Sequence, residues 1–142
     1  MKLTFTVPGN PRPQQRHRTV RNKSTGASFQ YDPSKQDKDN FLAKIMAMRP
    51  ETPIEGPIRL EVTFGFQRPK SHFTKKGIRL TAPFYVEKRP DIDNLVKLVT
   101  DAMNGVFFRD DSQIVVLLAV KMYSDQPNVH IYLEQTNPGP HI

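Results

Sequence analysis

Leu3, Phe5 and Val7 alternate with Lys2, Thr4 and Thr6, the period of two expected of a strand with one buried face. The alternation is clearer in Ile58-Arg-Leu-Glu-Val-Thr-Phe-Gly-Phe66, which predicts a second strand. Between them Asp32-Pro33 opens a helix whose Phe41, Leu42, Ile45, Met46 and Met48 form a core stripe, and Arg49-Pro50 stops it. A second helix is predicted from Ile92 to Asn104, entered through Pro90-Asp91 and ended by Gly105. At about 100° per residue, Ile92, Leu95, Val96, Leu98, Val99, Ala102 and Met103 share one arc, and Asp93, Asn94, Lys97, Asp101 and Asn104 share another. One arc faces the core and the other is left for chemistry.

Ile114-Val-Val-Leu-Leu-Ala-Val120 is apolar on both faces, which suits a central strand covered by helices. It is expected to run on to Tyr123, turn through Ser124-Asp-Gln-Pro-Asn128 and return as Val129-His-Ile-Tyr-Leu133. His130 then points away from the apolar residues and reads as a surface histidine. The order β-α-β-α-β-β predicts one α+β domain over residues 1–136, with a mixed sheet, an antiparallel C-terminal hairpin and helices packed on it. Asn137 to Ile142 reads as a flexible tail.

Charge changes the picture more than length does. The chain has 142 residues, enough for a single core, and carries a net charge of +7. Ten Lys or Arg and three acids lie between Met1 and Arg49, and eleven of each lie beyond, so the whole excess belongs to the N-terminal third. Arg12, Arg16, Arg18, Arg21 and Lys23 occupy a stretch without an acid, as do Arg68, Lys70, Lys75, Lys76 and Arg79. Pro, Gly, Gln and Ser in both stretches argue against regular structure. They read as long basic loops that order on a DNA backbone, the alternative being solvated loops with no partner. No apolar run reaches membrane-spanning length, Met1 to Val7 lacks a signal-peptide core, and no cysteine is present, so a cytoplasmic protein with no membrane partner is expected.

The candidate chemistry sits in Arg89-Pro-Asp-Ile-Asp-Asn-Leu-Val-Lys97 and, past Gly105, in Phe108-Arg-Asp-Asp-Ser-Gln113. Asp91 and Asp93 fall in the first turn of the helix, where its dipole favours ionised carboxylates. Such an oxygen-rich set suits Mg²⁺, which takes one or two carboxylates and completes its shell with water and phosphate oxygens. Zinc is disfavoured, since His17, His72, His130 and His141 show no paired ligand spacing. Each residue has a plainer reading as well: Asp91 as an N-cap, Asp93 and Asp101 as partners of Lys97 on a solvated face, Asp110-Asp111 as turn residues.

Pro90-Asp-Ile-Asp-Asn-Leu-Val-Lys97, Asp101-Ala-Met-Asn-Gly105, Asp110-Asp-Ser-Gln-Ile114 and Lys121 together resemble the signature of the RusA-like Holliday junction resolvases. The match is dense over residues 88–122 and looser before them. The resemblance implies a homodimeric, Mg²⁺-dependent endonuclease, with Mn²⁺ able to substitute and no small-molecule cofactor, that cuts four-way DNA junctions in recombination and repair. It puts the catalytic, metal-binding aspartates at Asp91, Asp93 and Asp111 and the functional lysine at Lys97. Asp110 fills the other acidic position and ranks below Asp111. Asn94 joins it as a supporting residue beside the ligands. Some members carry a longer arginine run where this chain has Glu87-Lys88-Arg89-Pro90, so Lys88 and Arg89 join Arg12, Arg16, Arg18, Arg21, Lys23, Lys75 and Lys76 as DNA-binding candidates. Two rival classes stay open: a DNA-binding protein without catalysis, and another Mg²⁺ phosphotransfer enzyme using Asp-x-Asp.

Overall fold

The computed structural model describes residues 1–136, and the expected tail lies outside them. In chain order the elements are β1 (Lys2–Pro8), β2 (Arg18–Arg21), β3 (Ser28–Tyr31), α1 (Lys35–Ile45), β4 (Ile58–Gln67), β5 (Phe73–Thr74), β6 (Gly77–Ile78), α2 (Ile92–Met103), β7 (Ile114–Ser124) and β8 (Asn128–Gln135). Four strands make the main sheet in the order β1-β8-β4-β7, with β8 antiparallel to both β1 and β4, and β4 parallel to β7. This is the α+β, mixed-sheet domain expected of the sequence.

Alternation decides which face of the sheet is covered. Ile58, Leu60, Val62 and Phe64 of β4, Val129, Ile131 and Leu133 of β8, and Phe5 and Val7 of β1 are buried against Phe41 and Ile45 of α1 and Leu95, Leu98, Val99, Ala102 and Met103 of α2. The intervening residues belong to a face with no helix on it among the described residues. There Thr4 and Thr6 bond the ring of His130 at 3.3 and 2.7 Å, so this histidine is the surface residue its pattern predicted. The core stripe of α1 ends at Ile45: Met48, in a short 3-10 turn, is exposed.

Three expectations are corrected. Ile114 to Val120 is not a central strand, because β7 forms the edge of the sheet and Val115, Val116, Leu117 and Leu118 are 61, 39, 49 and 48% exposed. Continuous apolar character implies burial on both faces, but nothing in the sequence says that the cover must come from the same chain. Second, β7 and β8 run antiparallel but do not bond one another, since β4 lies between them. Third, the basic stretches contain regular structure: β2 and β3 form a two-stranded ribbon, and β5 and β6 a minimal hairpin. These ribbons bury nothing, so they left no apolar pattern to read.

Candidate active site

Asp91 stands at the N-cap position of α2 with φ −69° and ψ 142°, yet its side chain makes no capping hydrogen bond. The helix is started by the main chain alone, the Leu95 N–H donating to the Asp91 carbonyl at 3.2 Å. Asp93 follows in the first turn, and both residues are exposed. Among the described residues, neither carboxylate is engaged in a hydrogen bond or ion pair, so the oxygens of both are free to ligate. The N-cap reading of Asp91 therefore holds for its backbone and leaves its carboxylate unexplained.

The segment before Asp91 is held against the end of β7. The Val86 N–H donates to the Lys121 carbonyl (3.1 Å), the Tyr123 N–H to the Phe84 carbonyl (3.0 Å), and the Lys121 ammonium donates to the Lys88 carbonyl. Asp91 and Asp93 consequently open onto a concavity of about 610 Å³ shared with Tyr85, Val86, Ala119 and Lys121. Lys121 was in the signature but not among the candidate site residues. The sequence clue was a lysine interrupting an apolar strand.

On the other flank, Pro11 to Arg16 forms a strap across the start of α2. The Gln14 N–H donates to the Asn94 carbonyl (2.8 Å), the Gln15 N–H to Ser34 Oγ (2.8 Å), and the Gln14 amide to Asp32 Oδ1 (2.8 Å). Gln14 and Ser34 are buried. The strap and residues 89–94 bound a groove of about 690 Å³ lined by Arg12, Arg16, Arg89, Asp91 and Asn94. Arginine from three separate positions thus converges beside a candidate metal ligand. Asn94 contributes its carbonyl to the strap and is among the residues that line the groove. Arg18, Arg21, Lys23, Lys75, Lys76 and Lys88 are exposed but do not line this groove.

A charged network ties the strap to the middle of α2. Lys38 pairs with Asp32 and approaches Asp101 Oδ2 at 3.9 Å, and Lys97 approaches the same oxygen at 3.6 Å. Burial pushes the Asp32 carboxyl upward, but the hydrogen bonds from Lys38, the Ser34 N–H and Gln14, with the charge of Lys38, outweigh it and leave its pKa at about 2. Asp101 is thus a bridge between two lysines. Lys97, 61% exposed, extends from it into solvent.

Asp110 and Asp111 differ in employment. Asp110 caps a 3-10 turn, accepting from the Ser112 N–H, while the Gln113 side chain accepts from its N–H, and the hydrogen bonds with Ser112 hold its carboxyl below the usual range. Asp111 is held by its main chain, its N–H donating to Asn104 Oδ1 at 2.8 Å, and its exposed carboxylate has no partner among the described residues. The Asp110 carboxylate is thus engaged within the turn and that of Asp111 is not. The structure does not, however, bring Asp111 to Asp91 and Asp93. Asp111 is anchored at the C-terminal end of α2 and the other two at its N-terminal end, about 20 Å away at the rise of a helix. No group of three or more metal-ligating side chains is assembled among the described residues.

The family described as "Endodeoxyribonuclease RusA" matches residues 8–134. The chain belongs to the RusA endodeoxyribonuclease family. It is 35% identical to the uncharacterized protein YqaN of Bacillus subtilis (strain 168) over 141 residues, 95% of this chain and 97% of that protein. It is 27% identical to a protein of Lactococcus phage r1t named crossover junction endodeoxyribonuclease rusA, covering 95% of this chain and 99% of the phage protein. RusA membership makes the chain an endodeoxyribonuclease and removes the DNA-binding protein without catalysis from consideration. The family match spans both the strap and the carboxylates, so the looser N-terminal part of the resemblance is included.

Proposed function

We propose that this enzyme resolves four-way DNA junctions in the cytoplasm by Mg²⁺-dependent hydrolysis, as a symmetric homodimer making paired nicks. The observation that carries the reading is Asp91: a carboxylate at a helix entrance that does no capping, beside a second free carboxylate, on the rim of an arginine-lined groove. Hard oxygen donors with no competing partner fit Mg²⁺, and Mn²⁺ shares the preference. Asp91 and Asp93 would hold the metal, which would supply polarisation of the scissile phosphate and a more acidic bound water, and Asp111 is the third candidate ligand. Arg12, Arg16 and Arg89 hold the DNA backbone across the groove. Lys97, restrained by Asp101, presents an ammonium to charge that develops on the phosphate oxygens.

The two-fold symmetry of a four-way junction supports the homodimer: two equivalent strands require two sites, and each chain carries one set of carboxylates. Labelled four-way, duplex and single-stranded DNA, each with and without Mg²⁺, should give symmetric nicks in the junction alone and only with metal. The products should carry 5′-phosphates and 3′-hydroxyls that a ligase can seal. Asp91→Asn, Asp93→Asn and Asp111→Asn should each stop cleavage and keep junction binding. Equal cutting of linear duplex would refute the junction reading, and cutting in excess chelator would refute the metal.

A further inference from the structure

The concavity onto which Asp91 and Asp93 open is not built for a metal and a phosphate alone. Beside these carboxylates and Lys121 it is lined by Tyr85, Ile92 and Val120, and Tyr85 is 63% exposed. A hydrated cation and a phosphate gain nothing from an aromatic ring or an aliphatic side chain. A ligand that joins a phosphate to a flat apolar group does gain, and in DNA that ligand is a nucleotide whose base has left the stack. At about 610 Å³ the concavity is in the size range of small-ligand sites.

The ring is mounted rigidly. Residues 83–88 run beside the end of β7 and are pinned at four points: the Arg68 guanidinium donates to the Pro83 carbonyl (2.7 Å), the Tyr123 N–H to the Phe84 carbonyl, the Val86 N–H to the Lys121 carbonyl, and the Lys121 ammonium to the Lys88 carbonyl. Tyr85 lies in the middle of that span. Phe84 packs against it nearly perpendicular, at 85° with 4.8 Å between ring centroids, and restrains its rotation. A single exposed apolar side chain is commonplace and needs no task. Tyr85 is set apart by its fixed backbone and by its place: of the exposed aromatics Phe29, Tyr31, Phe73, Phe84 and Tyr85, it alone lines the concavity of the two free carboxylates.

We propose that Tyr85 is a stacking platform for the nucleobase next to the scissile phosphate, and that it thereby selects branched DNA over duplex for cleavage. This deepens the proposed function and rests on its placement of the scissile phosphate at Asp91 and Asp93. Every base has a π face, so stacking on a tyrosine tolerates any sequence. In an intact duplex both faces of a base are covered by its neighbours, and extruding it costs stacking and pairing; the cost is least where the stack is already interrupted. The exchange point of a four-way junction is such a place, because strands there pass from one arm to the next. Backbone contacts from Arg12, Arg16 and Arg89 are common to duplex and junction. They set affinity, and Tyr85 sets where cleavage occurs.

Two substitutions separate the ring from its bulk. Tyr85→Phe keeps the ring and should cleave a four-way junction within about twofold of wild type, whereas Tyr85→Leu keeps apolar bulk without a π face and should lose about tenfold in single-turnover rate. Both should bind duplex, sediment and unfold in urea as wild type does, since the side chain is exposed. Equal rates for Tyr85→Leu and Tyr85→Phe overturn the proposal and leave the proposed function standing; a wild type that does not prefer the junction overturns the proposed function itself. A changed sedimenting mass for Tyr85→Leu also overturns the proposal, since the ring would then be covered by a second copy. The stack is read directly as well. The chain has no tryptophan, so Tyr85→Trp places a single indole reporter at the rim. In an Asp111→Asn background with Mg²⁺, which keeps the junction uncut, its emission should be quenched by saturating junction and far less by saturating duplex. Equal quenching by the two, or none by the junction, overturns the stacking role.

Discussion

The two flanks of α2 are finished to different degrees. On the α1 side the chain satisfies itself: the strap is bonded to Asn94 and Ser34, Asp32 holds Lys38, and Asp101 bridges Lys38 and Lys97. On the β7 side, apolar side chains face water and, among the described residues, an edge of main chain is unpaired and three carboxylates have no partner. Unpaired polar groups and bare apolar strands raise the free energy of an isolated protomer. What they have in common, on the proposed function, is that each would be satisfied by something outside the chain: a metal, a phosphate or a second copy. Damage to the first flank should therefore be seen as lost stability, and damage to the second as lost assembly or cleavage.

The largest effect tests the interior that both flanks lean on. Leu60→Ala, at a fully buried position of β4, should cost about 2–5 kcal/mol in urea unfolding, with cleavage per folded molecule unchanged. Leu117→Arg is its counterpart on the open flank. It should leave the unfolding free energy of the protomer nearly intact, sediment at the 16.3 kDa of one chain, and lower single-turnover cleavage by about a hundredfold through misplaced groups. If Leu117→Arg instead unfolds the protomer as Leu60→Ala does, the contrast between the flanks is wrong.

Asp101→Asn sits where the flanks meet. With Lys97 released, turnover should fall about tenfold, the lower range for a residue that orients its neighbour, while junction affinity stays within error. Because Asp101 would act through Lys97, Lys97→Ala with Asp101→Asn should cleave no more slowly than Lys97→Ala alone; multiplied losses would give Asp101 an independent role.

The smallest effect belongs wholly to the closed flank. The folded pKa of Asp32, about 2, lies below the ordinary 3.8. Its ion pair therefore stabilises the fold above pH 4, and the contribution is lost as pH falls toward 2. Asp32→Asn should be less stable than wild type in urea at pH 7, and the difference should shrink across that window. A difference that is the same at pH 2.5 and pH 7 would assign the loss to packing.

Helix α2 and strand β4 were legible in the sequence because each buries one face against the same chain, and such burial writes its period into the residues. The carboxylates Asp91 and Asp93 were legible as candidates because they cluster at a helix entrance, but that Asp91 does no capping was visible only in the structure. The edge position of β7 was not legible, since a strand covered by its own helices and one covered by another molecule have the same apolar pattern. Nor was the distance from Asp111 to Asp91. Nineteen intervening positions read as proximity along the chain, but a helix running out and a strand running back return the chain to Asp91 only at Lys121, ten residues beyond Asp111.

The bonded strap has a thermodynamic consequence of its own. Basic segments that fold upon DNA lose conformational entropy as they bind, and their binding carries a large heat-capacity change from newly buried surface. Pro11 to Arg16 is already immobilised by Gln14 and by the buried hydroxyl of Ser34, and proline at positions 11 and 13 narrows even its unfolded states. On the proposed function its arginines would therefore meet the phosphates from a main chain that is already ordered. Calorimetry of junction binding by this part of the surface should accordingly be governed by counterion release, with a heat-capacity change far smaller than that of a segment that folds as it binds.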